Sequence, residues 1–318
     1  VLIPVAYLAS YFLLNFYILG DQVHYHRLYE ALNVARLDQI LMIGHAHISS
    51  SEPLSLFILW AGAKVGIENN IYISILNTLL IVGIFILARQ HRVKMPMIAL
   101  MLTNFYVVVL MTGAERLKIG YLILIFAALS AGRIKYLLLT LSTFAHLQNF
   151  ILLVGLFSGA LETPVRNFIT KFAVLKKNVL AFGVILCVGL FVSYLLFEGI
   201  ITKGLAYAAA RSYAAQARGY AYGFNPVEFI NIIILSGVSL FVTRRRLQMS
   251  LMLSTLVFFV AILGGIRVNM IAVTLVISYL MVERRLNHPL IYALMLYFSI
   301  KTIPFVLNII RYGNGFAY

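Results

Sequence analysis

Long apolar runs alternate with short polar junctions along the whole chain. Runs at about 1–20, 70–88, 96–112, 117–131, 178–197, 226–243, 249–263, 268–282 and 289–308 predict helices. Many approach the ~20 residues that cross a bilayer, where only a helix can satisfy its own backbone hydrogen bonds. The strict alternation of a membrane β-barrel is not the pattern here. The segment 21–52 is too polar to span, yet Leu28, Leu32, Ala35 and Ile40 are spaced for a helix lying in the interface. Pro53 to Val65 is apolar but short, which predicts a re-entrant or interfacial element.

Charge then orients these runs. Arg89, Arg92 and Lys94, then Arg133 and Lys135, Arg166 to Lys177, Arg244-Arg245-Arg246, and Arg284-Arg285 mark one side of the membrane as cytoplasmic. They face only Glu162 and Glu283, so the other acids fall on the outer side. The assignment is consistent only if the run 134–161 breaks near His146-Leu147-Gln148-Asn149. That predicts two short helices, 134–147 and 148–160, with a polar tip toward the outer face. Broken helices are tolerated where protein or a cavity shields them. The expectation is an all-α, polytopic integral membrane protein of about 10–12 helices, some short or broken. It forms one transmembrane domain over 1–318, with external segments 21–52 and 198–225.

Composition agrees: 62% of residues are hydrophobic, 11% are charged, and mean hydropathy is +0.97. The first run, Val1 to Gly20, has no small-residue cleavage site and is expected to be a retained helix. The net charge of +15 follows the junctions and gives no reason to expect a nucleic-acid partner. The single cysteine, Cys187, lies inside an apolar run and is expected to pack there.

Chemistry is sought where charge interrupts hydrocarbon-seeking sequence. Glu115 and Arg116 sit at a minimal junction between two apolar runs, and Arg267 at another. No solvated loop carries them away, and ionisable groups near membrane depth are usually kept for function. Arg211 and Arg218 stand in the Tyr-rich external segment. Guanidinium forks fit phosphate and carboxylate, so these helix ends predict an outer site for an anionic lipid-linked ligand. Snorkelling arginines paired with outer carboxylates are the structural alternative. His146, flanked by Gln148 and Asn149 at an apolar break, is either a satisfied core histidine or a base. His24, His26, His45 and His47 are spaced i, i+2 on a segment that does not read as a strand, so no metal is expected. No phosphate-binding glycine loop or zinc-protease signature is present, and no cofactor is expected.

The order of these pieces resembles the EpsG/Wzy-type polysaccharide polymerases, lipid-dependent glycosyltransferases of the GT-C class. The resemblance lies in Asp21 to Tyr25 with Tyr29, Ser51-Glu52-Pro53-Leu54, Glu115-Arg116, Phe144-Ala145-His146 and Arg267. Leu117 and Lys118 depart from the family's usual pattern after the arginine. The resemblance implies a GT-C-like fold in the bacterial inner membrane, with its active site facing the periplasm. The implied substrate is an oligosaccharide repeat on undecaprenyl diphosphate, polymerised without metal or nucleotide. Arg116 and Arg267, with Arg211 or Arg218, would hold the diphosphate. His146 or Glu52 would be the general base, a role that imidazole often takes in catalysis, and Asp21 would orient a sugar hydroxyl. Implied partners are the membrane lipid and a chain-length regulator protein. An O-antigen ligase, or a transporter or flippase of lipid-linked sugars, would share parts of this pattern.

Overall fold

The computed structural model describes residues 2–48, 52–146, 148–150, 152–153, 155, 226–263 and 265–316. The expected helix 178–197, the external segment 198–225 and most of the expected helix 148–160 lie outside the described residues. Every α-helix or other regular element among the described residues is helical. The helices are α1 (Leu2–Phe16), α2 (Asp21–Val34), α3 (Ile40–Ile48), α4 (Pro53–Lys64), α5 (Asn69–Gln90), α6 (Met95–Leu102), α7 (Phe105–Gly113), α8 (Glu115–Leu129), α9 (Gly132–Ala145), α10 (Pro226–Val242), α11 (Arg246–Leu263), α12 (Gly265–Val282) and α13 (Pro289–Tyr312). A short 3-10 turn, Leu37–Gln39, leads into α3.

By length and composition, α5 and α13 can cross a membrane. Two bent pairs, α1 with α2 and α6 with α7, bring the candidates among the described residues to four. The described residues are thus all-helical in their regular structure, with membrane-crossing candidates among them. The first run ends four residues earlier than its apolar pattern suggests, and α2 leaves it at 100°. Gly20 makes that corner at φ 65, a backbone region that glycine enters without strain. The run expected at 96–112 is two helices bent by 43°. Asn104 caps the second one, its side-chain oxygen accepting from the Tyr106 N–H at 2.9 Å.

The chain divides into two compact units, residues 1–153 with 276–318, and residues 154–275. In the second unit, α10 packs on α11. The first unit carries the polar network described below. Its helices are joined by buried side-chain hydrogen bonds, a form of glue suited to an apolar surround. Ser10 donates to Ser74 (3.2 Å), and Asn77 donates to both Ser10 (2.7 Å) and the Met111 carbonyl (2.9 Å), which ties α1, α5 and α7 together. α13 docks on the α6–α7 corner through Thr302, which donates to the Thr103 carbonyl at 2.8 Å. Lys301, a charge inside that last helix, stands 4.4 Å from the Phe105 ring centre as a cation–π contact.

The polar segment 21–52 is helical in two pieces and not one: Leu28 and Leu32 lie on α2, Ala35 is its extended C-cap, and Ile40 opens α3, so the four apolar positions do not share a single helix. Leu28 and Leu32 are fully buried, and Ala35 and Ile40 nearly so. α4 caps the end of α2: the Lys64 ammonium donates to the Asn33 carbonyl at 2.7 Å, and the Trp60 indole donates to the Ala35 carbonyl at 3.1 Å. Tyr29 donates to the Ile67 carbonyl at 3.0 Å.

Candidate functional site

Three helix ends meet in the first unit. Glu52 is the N-cap of α4, held extended by the following Pro53, which starts the helix at its favoured first position. Arg116 lies in the first turn of α8, after the single non-helical residue Ala114. His146 is the C-cap of α9, in extended conformation, at the break the charge pattern requires. Each side chain leaves its helix at the point where regular backbone stops.

Glu52 links the other two. His146 Nδ1 is 2.7 Å from Glu52 Oε1, and Arg116 Nη1 donates to Glu52 Oε2 at 2.8 Å. Arg116 Nε donates to the Tyr25 hydroxyl at 3.2 Å. The Gln148 amide lies 3.3 Å from His146 Nε2. That amide can serve either protonation state: its oxygen accepts from an imidazolium, and rotated by 180° its NH2 donates to a neutral ring. A carboxylate on Nδ1–H fixes the neutral tautomer so that Nε2 carries the lone pair, which is the arrangement of an oriented general base. The cluster is sheltered but not sealed, with side-chain exposures of 14% for Arg116 and 16% for Glu52.

Its support comes from residues without charge. Ser55, fully buried one turn into α4, donates to the Ala145 carbonyl at 2.8 Å and so fixes the end of α9 beside Glu52. Asn149 is fully buried and donates to the Ser142 carbonyl at 3.1 Å, folding the 146–149 segment back on α9. Gly120 of α8 makes room for it: a Cβ there would overlap the Asn149 amide nitrogen.

A second polar group lies beside the first and is sealed. Glu115 is 1% exposed and Lys118 is 0% exposed, and the pair is 2.7 Å apart. Glu115 Oε1 also accepts from Gln22 at 2.8 Å. The break at Ala114 strips the last carbonyls of α7 of helical partners, and side chains replace them. Lys118 donates to the Met111 carbonyl at 2.8 Å, and Gln22 donates to the Thr112 carbonyl. Gln22 and Tyr25, three apart on one face of α2, therefore grip the consecutive residues Glu115 and Arg116.

The structure thus brings together three of the residues singled out in the sequence: Glu52, Arg116 and His146. Glu115 belongs to the sealed pair and does not contact Glu52 or His146 through any described bond. Asp21 is exposed in the first turn of α2. Arg267 falls in α12, where the description of side chains does not reach it, and Arg211 and Arg218 lie outside the described residues. Tyr25, Ser55 and Gln22 were missed as site residues. Ser55 and Tyr25 sit within the motif stretches around Glu52 and Asp21, but nothing in their own type marks them. No family model matches the chain, and neither a curated protein nor a solved structure is significantly similar to it.

Proposed function

We propose that this chain is a membrane-embedded, lipid-dependent glycosyltransferase that polymerises oligosaccharide repeats carried on undecaprenyl diphosphate. The observation that carries the reading is Glu52 shared between His146 and Arg116, at 2.7 and 2.8 Å. A base oriented by a carboxylate, next to a guanidinium, has the parts needed to deprotonate a sugar hydroxyl beside an anionic leaving group. The acceptor is the non-reducing sugar of a new repeat. Its hydroxyl oxygen attacks the anomeric carbon of the growing chain. The bond from that carbon to the diphosphate oxygen breaks, and undecaprenyl diphosphate leaves with the electron pair. The hydroxyl proton passes to His146 Nε2. Glu52 holds the ring and balances the imidazolium. The N–H groups of Arg116 not committed to Glu52 and Tyr25 face charge building on the leaving group, with Arg267, Arg211 and Arg218 as further diphosphate ligands. The site faces the periplasm in this reading, and a chain-length regulator is a fitting protein partner.

The test is incubation of the purified protein with a lipid-linked repeat unit, without nucleotide or metal, followed by gel analysis. A ladder of products is expected, and His146→Gln should abolish it at unchanged protein level. A single addition to a different acceptor would mean a ligase. No ladder, with protein-dependent movement of the lipid across a liposome bilayer, would mean a transporter.

A further inference from the structure

Two helix ends far apart in sequence close in the same unusual way. At the end of α5, the N–H of Val93 donates to the Ala88 carbonyl and that of Arg92 to the Arg89 carbonyl, both at 3.0 Å. At the end of α12, the N–H of Arg285 donates to the Leu280 carbonyl at 2.8 Å and that of Arg284 to the Met281 carbonyl at 3.0 Å. Both are Schellman turns, whose left-handed position is normally glycine. Here each carries arginine, Arg92 at φ 60 and Arg284 at φ 57, and these are the two described non-glycine residues with positive φ. An L side chain is strained in that region, and such strain persists where a function uses it.

Asn287 joins the two turns. Its side-chain oxygen accepts from the Lys94 N–H at 3.0 Å, and its amide donates to the Arg92 carbonyl at 3.4 Å. The joined segments hold Arg89, Arg92, Lys94, Arg284 and Arg285 against one acid, Glu283. Arg89, Arg92, Lys94 and Arg284 are exposed. No described ion pair uses any of the five cations. A favourable interaction with the helix dipole explains a cation in the last turn, and Arg89 already supplies one in α5. It does not explain arginine at the one position of each turn that penalises a side chain.

The place of these turns identifies the occupant. Among the described residues, α5 and α13 are the two single helices long and apolar enough to cross a bilayer. The joined turns close the end of α5 and lead into the start of α13, so they lie at the boundary where hydrocarbon gives way to water. The dense anions at that depth are lipid phosphates. We propose that the paired turns form a headgroup site for an anionic phospholipid, with the phosphate received between the Arg92 and Arg284 turns. Guanidinium is the group suited to that geometry. This site is independent of the glycosyltransferase reading.

The experiment is thermal unfolding of the full chain in a neutral detergent, with added phosphatidylglycerol, phosphatidylcholine, or inorganic phosphate at matched ionic strength. Phosphatidylglycerol alone should raise the midpoint, by about 4 °C at saturation. The double variant Arg92→Gly with Arg284→Gly should lose that increment while its lipid-free midpoint holds or rises, since glycine relieves both turns. Should that variant fail to fold, Arg92→Asn with Arg284→Asn applies the same test, because asparagine tolerates the left-handed region. An equal shift with phosphatidylcholine, reproduction of the shift by free phosphate, or its survival in the neutral double variant would overturn the proposal.

Discussion

One oxygen of Glu52 meets His146 and the other meets Arg116, and its substitution tests both contacts. Glu52→Gln keeps the shape but loses the charge that balances His146 and Arg116. The proposed polymerisation rate should fall by about 10²-fold or more, within the range of oriented acid–base catalysis, with protein level preserved. Tyr25→Phe removes one 3.2 Å bond to Arg116 and leaves the Glu52 contact in place. Its effect should be several-fold at most, and a rate as low as that of Glu52→Gln would mean that Tyr25 itself touches substrate. The sealed pair obeys a different rule. Lys118→Met strands a carboxylate at 1% exposure, and Glu115→Gln strands an ammonium at 0%. Breaking a buried pair on one side costs about 3–5 kcal/mol, more than replacing both partners with neutral groups of similar shape. Thermal midpoints should therefore rank wild type and the Glu115→Gln, Lys118→Met double variant above either single variant. If the single variants are as stable as the double, the pair is not holding the α7–α8 junction.

At the scale of elements, the site is a product of interrupted helices. The interruptions themselves were legible in the sequence. His146 was placed at a break by charge balance, and Glu115-Arg116 by the absence of any loop between two apolar runs. Pro53 announced the start of α4. The residues that lock these ends together were not legible, because Gln22, Ser55 and Asn149 are neutral and occur in stretches where pattern does not tell a buried face from a wet one. Their role appears only when another helix arrives. The split of 96–112 was hidden for the same reason: both halves are apolar, and only Asn104, a buried N-cap, marks the joint. Close approach of elements is also testable. Gly120→Ala places a methyl group against the Asn149 amide and should displace the 146–149 segment. Polymer yield should drop markedly with it, whereas Gly237→Ala, with no described atom within 4 Å of its new methyl group, should be neutral or slightly stabilising. Full activity in Gly120→Ala would show that the position of Asn149 does not govern His146.

At the scale of the whole molecule, composition was enough to give an all-helical chain with membrane-crossing candidates, but not to fix which helices cross. Spanning helices are announced by length, and many of the helices here are shorter than the bilayer because they bend or stop at polar junctions. What remains decisive is the side on which the Glu52–His146 cluster opens. The charge pattern leads to the expectation that the basic turns of α5 and α12 face the cytoplasm and the 21–52 segment faces outside. The chain has one cysteine, so replacing Cys187 by serine gives a blank background for labelling. In that background, Asp38→Cys should react with a membrane-impermeant maleimide in intact spheroplasts, and Gln90→Cys only after permeabilisation. Both positions are exposed, so access and not burial decides the result. The reverse pattern would place the cluster on the cytoplasmic face. There it would meet lipid-linked sugars before they are flipped, and the polymerase reading would give way to one in which the same base and guanidinium act during assembly of the repeat.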